Sequence, residues 1–141
     1  MTDFSPEFPE IEALKGKDPK MLGALTLAYV GDTVYELLNR LLTVSHGDRP
    51  VEKLHAETIS RSKAVTQSRI VEVLETEFTE EELQVYKRGR NANVHTKAKN
   101  ATAGEYHRAT GFEAVIGYLY LLGRKDRIKA LLKKGFDGLN T

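Results

Sequence analysis

The sequence predicts an all-α domain, and three observations carry that prediction. Apolar residues recur at helical spacing, and no stretch alternates with the period of two that a half-buried strand needs. Helix-opening signals recur along the chain at Asp18-Pro19, Asp48-Arg49-Pro50, Thr79 with Glu82, and Thr102 with Glu105. Closing signals answer them at His46-Gly47, Gly123 and Gly135.

Residues 1–17 read as an irregular arm broken by Pro6 and Pro9, with Phe4, Phe8, Ile11 and Leu14 available to dock it. Asp18 as N-cap and Pro19 at the first helical position predict a helix running to Val44. Its apolar residues lie nearly all round, so it is expected to be buried, centrally or partly in a subunit interface. Gly23 and Gly31 within it predict close approach of a neighbouring backbone. A second helical region covers 50–76, with a break expected near Ser60-Arg61-Ser62. Thr79 to Glu82 is a capping box that opens a short helix through Arg88. Residues 89–101 have no periodicity and read as a polar, basic loop. A second capping box, Thr102 to Glu105, opens a helix over 103–122 that Gly123 ends. A last helix over 124–134 is expected to stop at Gly135. These signals count about five helices.

At 141 residues the chain has the length of one domain that can bury most of its apolar surface. It has no cysteine, which excludes a disulfide framework and points to a reducing, cytoplasmic home. The stretch Met1 to Pro9 has acids and prolines but no apolar core, so no signal peptide is expected. No apolar run approaches the ~20 residues that cross a bilayer, so no membrane partner is expected. Net charge is only +1, yet the charges are segregated. Residues 72–82 carry Glu72, Glu75, Glu77, Glu80, Glu81 and Glu82 without a base. Residues 86–100 carry Lys87, Arg88, Arg90, Lys97 and Lys99 without an acid. Such blocks can present a polyanion-binding face on a nearly neutral chain.

Two acids stand in apolar helical stretches, Asp32 in Leu25–Leu38 and Glu113 in Gly111–Leu122. A carboxylate among apolar neighbours is costly unless something pairs with it. If their helices pack side by side, both acids can hold one divalent cation with water completing its shell. The alternative is that each pairs with a buried arginine or caps a backbone. Glu36 could be an auxiliary acid, but Arg40 four residues on offers an ordinary ion pair, which is the preferred reading. The loop residues can clamp phosphates or simply be solvated. The basic residues of 124–134 are read as the wet face of an amphipathic helix. His46, His55, His95 and His107 show no metal-ligand spacing, and there is no phosphate-binding glycine loop or serine elbow.

The motif residues add a resemblance. Val30-Gly31-Asp32-Thr33-Val34 resembles the signature helix of the ribonuclease III family, and Phe112-Glu113-Ala114-Val115-Ile116-Gly117 resembles its second motif. The short, nuclease-domain-only subfamily, mini-ribonuclease III, is the nearer likeness, through Leu25–Asp32, Lys87–Ala92 and Thr110–Ala114. The resemblance covers about Asp18 to Leu132, and places the nuclease domain over 18–141 without a double-stranded-RNA-binding domain. It implies an all-α homodimer of about five to seven helices per subunit. It further implies an endoribonuclease that cleaves double-stranded RNA with Mg²⁺, for which Mn²⁺ can substitute. The expected role is processing the ends of the 23S ribosomal RNA precursor, helped by a ribosomal protein bound to that RNA.

By motif, Asp32 and Glu113 are the catalytic and metal-binding acids. Lys87, Arg88, Arg90, Asn91, Lys97 and Lys99 fall in a segment implicated in RNA contact. Longer family members carry further acids where this chain has Leu25, Ala28 and Thr110, as the short subfamily also does. That leaves Asp32 and Glu113 to hold one tightly bound ion, with water and the Thr110 hydroxyl in support. A helical RNA-binding module without catalysis and a purely structural partner protein are the competing readings.

Overall fold

A computed structural model describes residues 8–92 and 101–140 of the chain. Its elements are α1 (Pro9–Leu14), α2 (Ala24–Ser45), α3 (Val51–Ser62), α4 (Ala64–Leu74), α5 (Glu80–Arg90), α6 (Ala103–Leu121) and α7 (Lys125–Gly138). A single 3₁₀ turn, Pro19–Met21, precedes α2. There is no strand among the described residues, so the all-α prediction holds.

Helix α6 is the axis of the fold. Ala109, Thr110, Phe112, Ala114, Val115, Ile116, Gly117, Tyr118 and Leu119 are all buried, and together they cover every side of the helix. It packs against α2, α4, α5 and α7. Both predicted capping boxes form. Thr79 and Glu82 exchange bonds of 3.1 and 2.9 Å at the start of α5, and Thr102 and Glu105 exchange 3.1 and 2.8 Å at the start of α6. Gly123, at φ +76°, provides the left-handed turn that closes α6.

Several boundaries differ from the sequence expectation. The long second helix starts at Ala24, not at Asp18. Asp18 accepts from the Lys20 N–H at 3.0 Å, but it opens only the 3₁₀ turn, because Leu22 and Gly23 are extended. The arm is not wholly irregular. Residues 9–14 form a short helix with no buried residue, so Phe8, Ile11 and Leu14 remain exposed. The break in 50–76 falls at Lys63, one residue past the expected cluster. Helix α7 runs through Gly135 because that glycine faces α4. A Cβ there would lie 2.6 Å from Ile70 Cγ2, so the small residue is a packing device, not a stop. Helix α5 extends to Arg90, and residues 93–100 of the predicted basic loop lie outside the described residues.

Helix α3 buries only Thr58, so apolar packing cannot hold it. Hydrogen bonds attach it to α2 instead. Asn39 Nδ2 donates to the Thr58 carbonyl at 2.9 Å, Arg61 Nε donates to Asn39 Oδ1 at 2.9 Å, and Arg61 Nη2 donates to Thr43 Oγ1 at 2.9 Å. The Tyr35 hydroxyl donates to the Arg61 carbonyl at 2.6 Å. The network is fully engaged at its centre, which is what lets a buried asparagine sit in a helix interface.

Candidate active site

The site is made where α2 crosses α6. The two backbones touch at glycines. A Cβ on Gly31 would lie 1.8 Å from the Glu113 carbonyl oxygen, and one on Gly117 would lie 1.9 Å from the Leu27 carbonyl oxygen. Any side chain at either position would hold the helices apart. The residue after Gly31 is Asp32, so this crossing brings the two predicted acids together.

Asp32 is exposed and Glu113 is part-buried. Their carboxyl groups are within hydrogen-bonding reach of each other. Burial first, then the bond to Asp32 and its charge, push Glu113 up to about 9 from an ordinary 4.5. At neutral pH, without a cation, Glu113 therefore carries a proton that it can share with Asp32. The Gln67 side chain from α4, itself buried, hydrogen-bonds Glu113 and opposes that rise.

Glu36, one turn after Asp32, takes the expected ion pair with Arg40 at 3.3 Å and also accepts from the Ser62 hydroxyl at 2.9 Å. Its charge is still felt at Glu113 and adds to the rise. The Thr110 hydroxyl donates back to the Tyr106 carbonyl of its own helix at 3.0 Å, leaving only its lone pairs for another partner.

Among the described residues, no group of three or more His, Cys, Asp or Glu side chains is arranged to hold an ion. The pair nevertheless has the donor chemistry a hard divalent cation takes. It is oxygen-only, partly open to water, and made of two acids that repel each other when both ionise. A cation between them would offset that repulsion.

The basic residues divide. Arg88 is drawn into structure, donating to the Lys20 carbonyl at 3.3 Å and the Leu22 carbonyl at 2.8 Å, and so tying the 3₁₀ turn to α5. Arg90 lies over the Tyr86 ring at 5.6 Å, with Nε on Asn91 Oδ1 at 3.3 Å. Lys87 and Asn91 are exposed. Lys97 and Lys99 lie outside the described residues. The end of α5 reaches α6 by another glycine contact, with a Cβ on Gly89 falling 2.8 Å from Gly111 Cα.

Gln67 was not foreseen from the sequence. Its one signal is a polar residue in the register of Ile70, Val71 and Leu74, which the helical period turns inward. Beside Asp32, an exposed apolar stripe runs along α2 and the turn before it. Met21 is 83% exposed, Tyr29 80%, Leu41 52% and Val44 55%, so α2 is not buried all round within this chain.

A domain of stacked helices with paired carboxylates on two facing helices defines a class. Residues 25–124 match the family described as Ribonuclease III domain. The chain is 45% identical to the mini-ribonuclease 3 of Clostridium tetani over 86% of its length and 82% of that protein. It is 43% identical to the mini-ribonuclease 3 of Staphylococcus aureus, over 82% of this chain and 87% of the other. The crystal structure of a Fusobacterium nucleatum protein superimposes with a TM-score of 0.77 at 32% identity, covering 83% of this chain and 95% of that one. The chain belongs to the ribonuclease III family, in its mini-ribonuclease III branch, and is an endoribonuclease. Among the described residues, no helix is long and apolar enough to cross a membrane.

Proposed function

We propose that the chain is a Mg²⁺-dependent endonuclease for double-stranded RNA. It acts as a cytoplasmic homodimer that processes the ends of the 23S ribosomal RNA precursor. The observation that carries the catalytic part is the meeting of Asp32 and Glu113 at a glycine-lined helix crossing. The family resemblance supports the RNA class and the precursor, with a ribosomal protein on that RNA as helper.

Asp32 and Glu113 would hold the ion, and Mn²⁺ has the same oxygen preference. When bound, the ion supplies charge stabilisation at the scissile phosphate and a nucleophilic water at neutral pH. Binding requires Glu113 to give up its proton. Gln67, fixed in the core, orients the Glu113 carboxylate. The pair sits on two rigid helices, so its geometry is set before substrate arrives. No serine, cysteine or histidine nucleophile is required. Lys87, Arg90 and Asn91, continued by Lys97 and Lys99, would contact phosphates and 2′-hydroxyls, by which A-form RNA is distinguished from DNA. Arg88 would act there indirectly, by fixing the turn before α2. The exposed stripe of Met21, Tyr29, Leu41 and Val44 fits a second copy of the chain, which would set two sites on one duplex, one per strand.

The test is incubation of long double-stranded RNA with protein and Mg²⁺. Wild-type protein should cut it, and Asp32→Asn and Glu113→Gln should not, with fold and RNA binding retained. Intact RNA under varied metal and salt, with binding preserved, would leave a binding module and end the nuclease reading for this chain.

A further inference from the structure

A polar recess lined by none of Asp32, Glu113 and Gln67 opens elsewhere on the domain. It has a volume of about 350 Å³ and lies where the ends of α4 and α5 meet the start of α6. Tyr86, Arg90, Asn91, His107 and Arg108 line it, with Glu75 at the end of α4 and the backbone of Gly104 in the first turn of α6.

Two polar atoms in this recess are buried and unsatisfied. Among the described residues neither the Tyr86 hydroxyl nor His107 Nδ1 has a partner in hydrogen-bonding geometry, although Tyr86 is only 1% exposed and the Arg90 guanidinium stands near enough to act on its hydroxyl. A buried hydroxyl without a partner costs free energy, so a bound group that pairs with it is favoured. Around it the charge is net cationic. The Arg90 guanidinium lies over the Tyr86 ring, and Arg108 is anchored by its Nε on Ser68 Oγ at 2.6 Å, with no hydrogen bond from its terminal nitrogens among the described residues. Glu75 is the opposing charge. The capping box engages the Thr102 and Glu105 N–H groups and leaves those of Ala103 and Gly104 at the positive end of a 19-residue helix. Gly104 has no side chain to cover them, and Arg108 Nη1 stands 3.4 Å from where its Cβ would be.

We propose that this recess is a phosphate subsite that takes one phosphodiester of the RNA strand. The proposal rests on the RNA-cleaving reading above and deepens it. Phosphate suits the donors present: a phenol O–H, two guanidinium groups, an imidazole and helix N-terminal amides. Neighbouring residues of α4 connect it to the catalytic pair, since Gln67 holds Glu113 and Ser68 holds Arg108. Tyr86, Arg90, His107 and Arg108 are thus substrate-positioning residues.

The test uses Tyr86→Phe, which removes only the buried hydroxyl. Its melting temperature should be nearly unchanged, because the hydroxyl makes no well-formed bond among the described residues. Its KM for double-stranded RNA should rise about tenfold, the cost of one hydrogen bond to a charged group, with kcat at saturating RNA within about twofold of wild type. Arg90→Gln should lower the salt slope of metal-free RNA binding by about one. The His107 ring resonance should shift in wild type on adding short duplex RNA, and this shift should weaken in Tyr86→Phe. Unchanged KM in Tyr86→Phe with an unmoved His107 resonance overturns the subsite, whatever Asp32→Asn does to cleavage. Loss of cleavage in Asp32→Asn with no effect of Tyr86→Phe upholds the catalytic pair and removes the subsite alone. A chain that neither cuts nor binds duplex RNA refutes both.

Discussion

Gly31 and Glu113 are in backbone contact: a methyl group on Gly31 would sit 1.8 Å from the Glu113 carbonyl oxygen. The reciprocal contact, Gly117 on the Leu27 carbonyl, lies one turn away along both helices. Packed helices ordinarily keep about 8–10 Å between axes. The absence of two side chains lets α2 and α6 come closer, and it is at this approach that Asp32 meets Glu113.

Gly31→Ala should therefore damage stability and site together. The obstructing atoms are backbone, which cannot swing aside as a side chain can. The loss should reach or exceed the upper end of the about 1–3 kcal/mol typical of overpacking. Thermal melting measures it, and Gly117→Ala should behave alike. A Gly31→Ala protein with wild-type melting and cleavage would contradict the crossing.

The raised Glu113 pKa gives stability a defined pH dependence. The unfolded carboxyl ionises near 4.5, while the folded one stays protonated to about 9. Unfolding thus releases a proton in this window, so the contribution of Glu113 to metal-free stability is greatest below 4.5 and falls as pH rises toward 9. Glu113→Gln should abolish this slope and raise the metal-free melting temperature at about pH 8. Mg²⁺ should stabilise wild type increasingly as pH rises and should not stabilise the variant. Melting curves in EDTA and in Mg²⁺ read both effects.

Gln67 lowers the Glu113 pKa by its hydrogen bond, so removing it has a signed consequence. In Gln67→Leu the Glu113 pKa should rise further, and the acid limb of the kcat profile should move to higher pH. Loss of a ligand-orienting partner typically costs about 10- to 100-fold in metal affinity or activity. A rate loss with an unmoved pH limb would mean that Gln67 serves packing only.

The apolar stripe on α2 predicts the oligomeric state. Tyr29→Asp combined with Leu41→Asp should convert a dimer to a folded monomer, read by light scattering. The wild-type melting temperature should rise with protein concentration, and that of the double variant should not. A wild-type monomer at high concentration would remove the second copy from the proposed function.

Local signals were legible wherever the interaction lies within one turn. The two capping boxes, the Gly123 close and the Glu36–Arg40 pair all form as the sequence indicates. Boundaries failed where a partner element decided them. Asp18-Pro19 has full start chemistry but opens a single 3₁₀ turn, which Arg88 from α5 ties down through the Lys20 and Leu22 carbonyls. Gly135 reads as a stop in one dimension and is a contact with Ile70 in three.

By itself the sequence determined the class of fold and the family, and singled out two acids as candidates, because periodicity, caps and motifs are properties of neighbours along the chain. Only the tertiary structure decided that the acids meet, that Gln67 stands behind Glu113, and that Tyr86 and His107 share a recess with Arg90 and Arg108. Those relations join residues from different helices, and their register depends on how closely the backbones can approach. In α2 and α6 that approach is set at Gly31 and Gly117, where a side chain is missing.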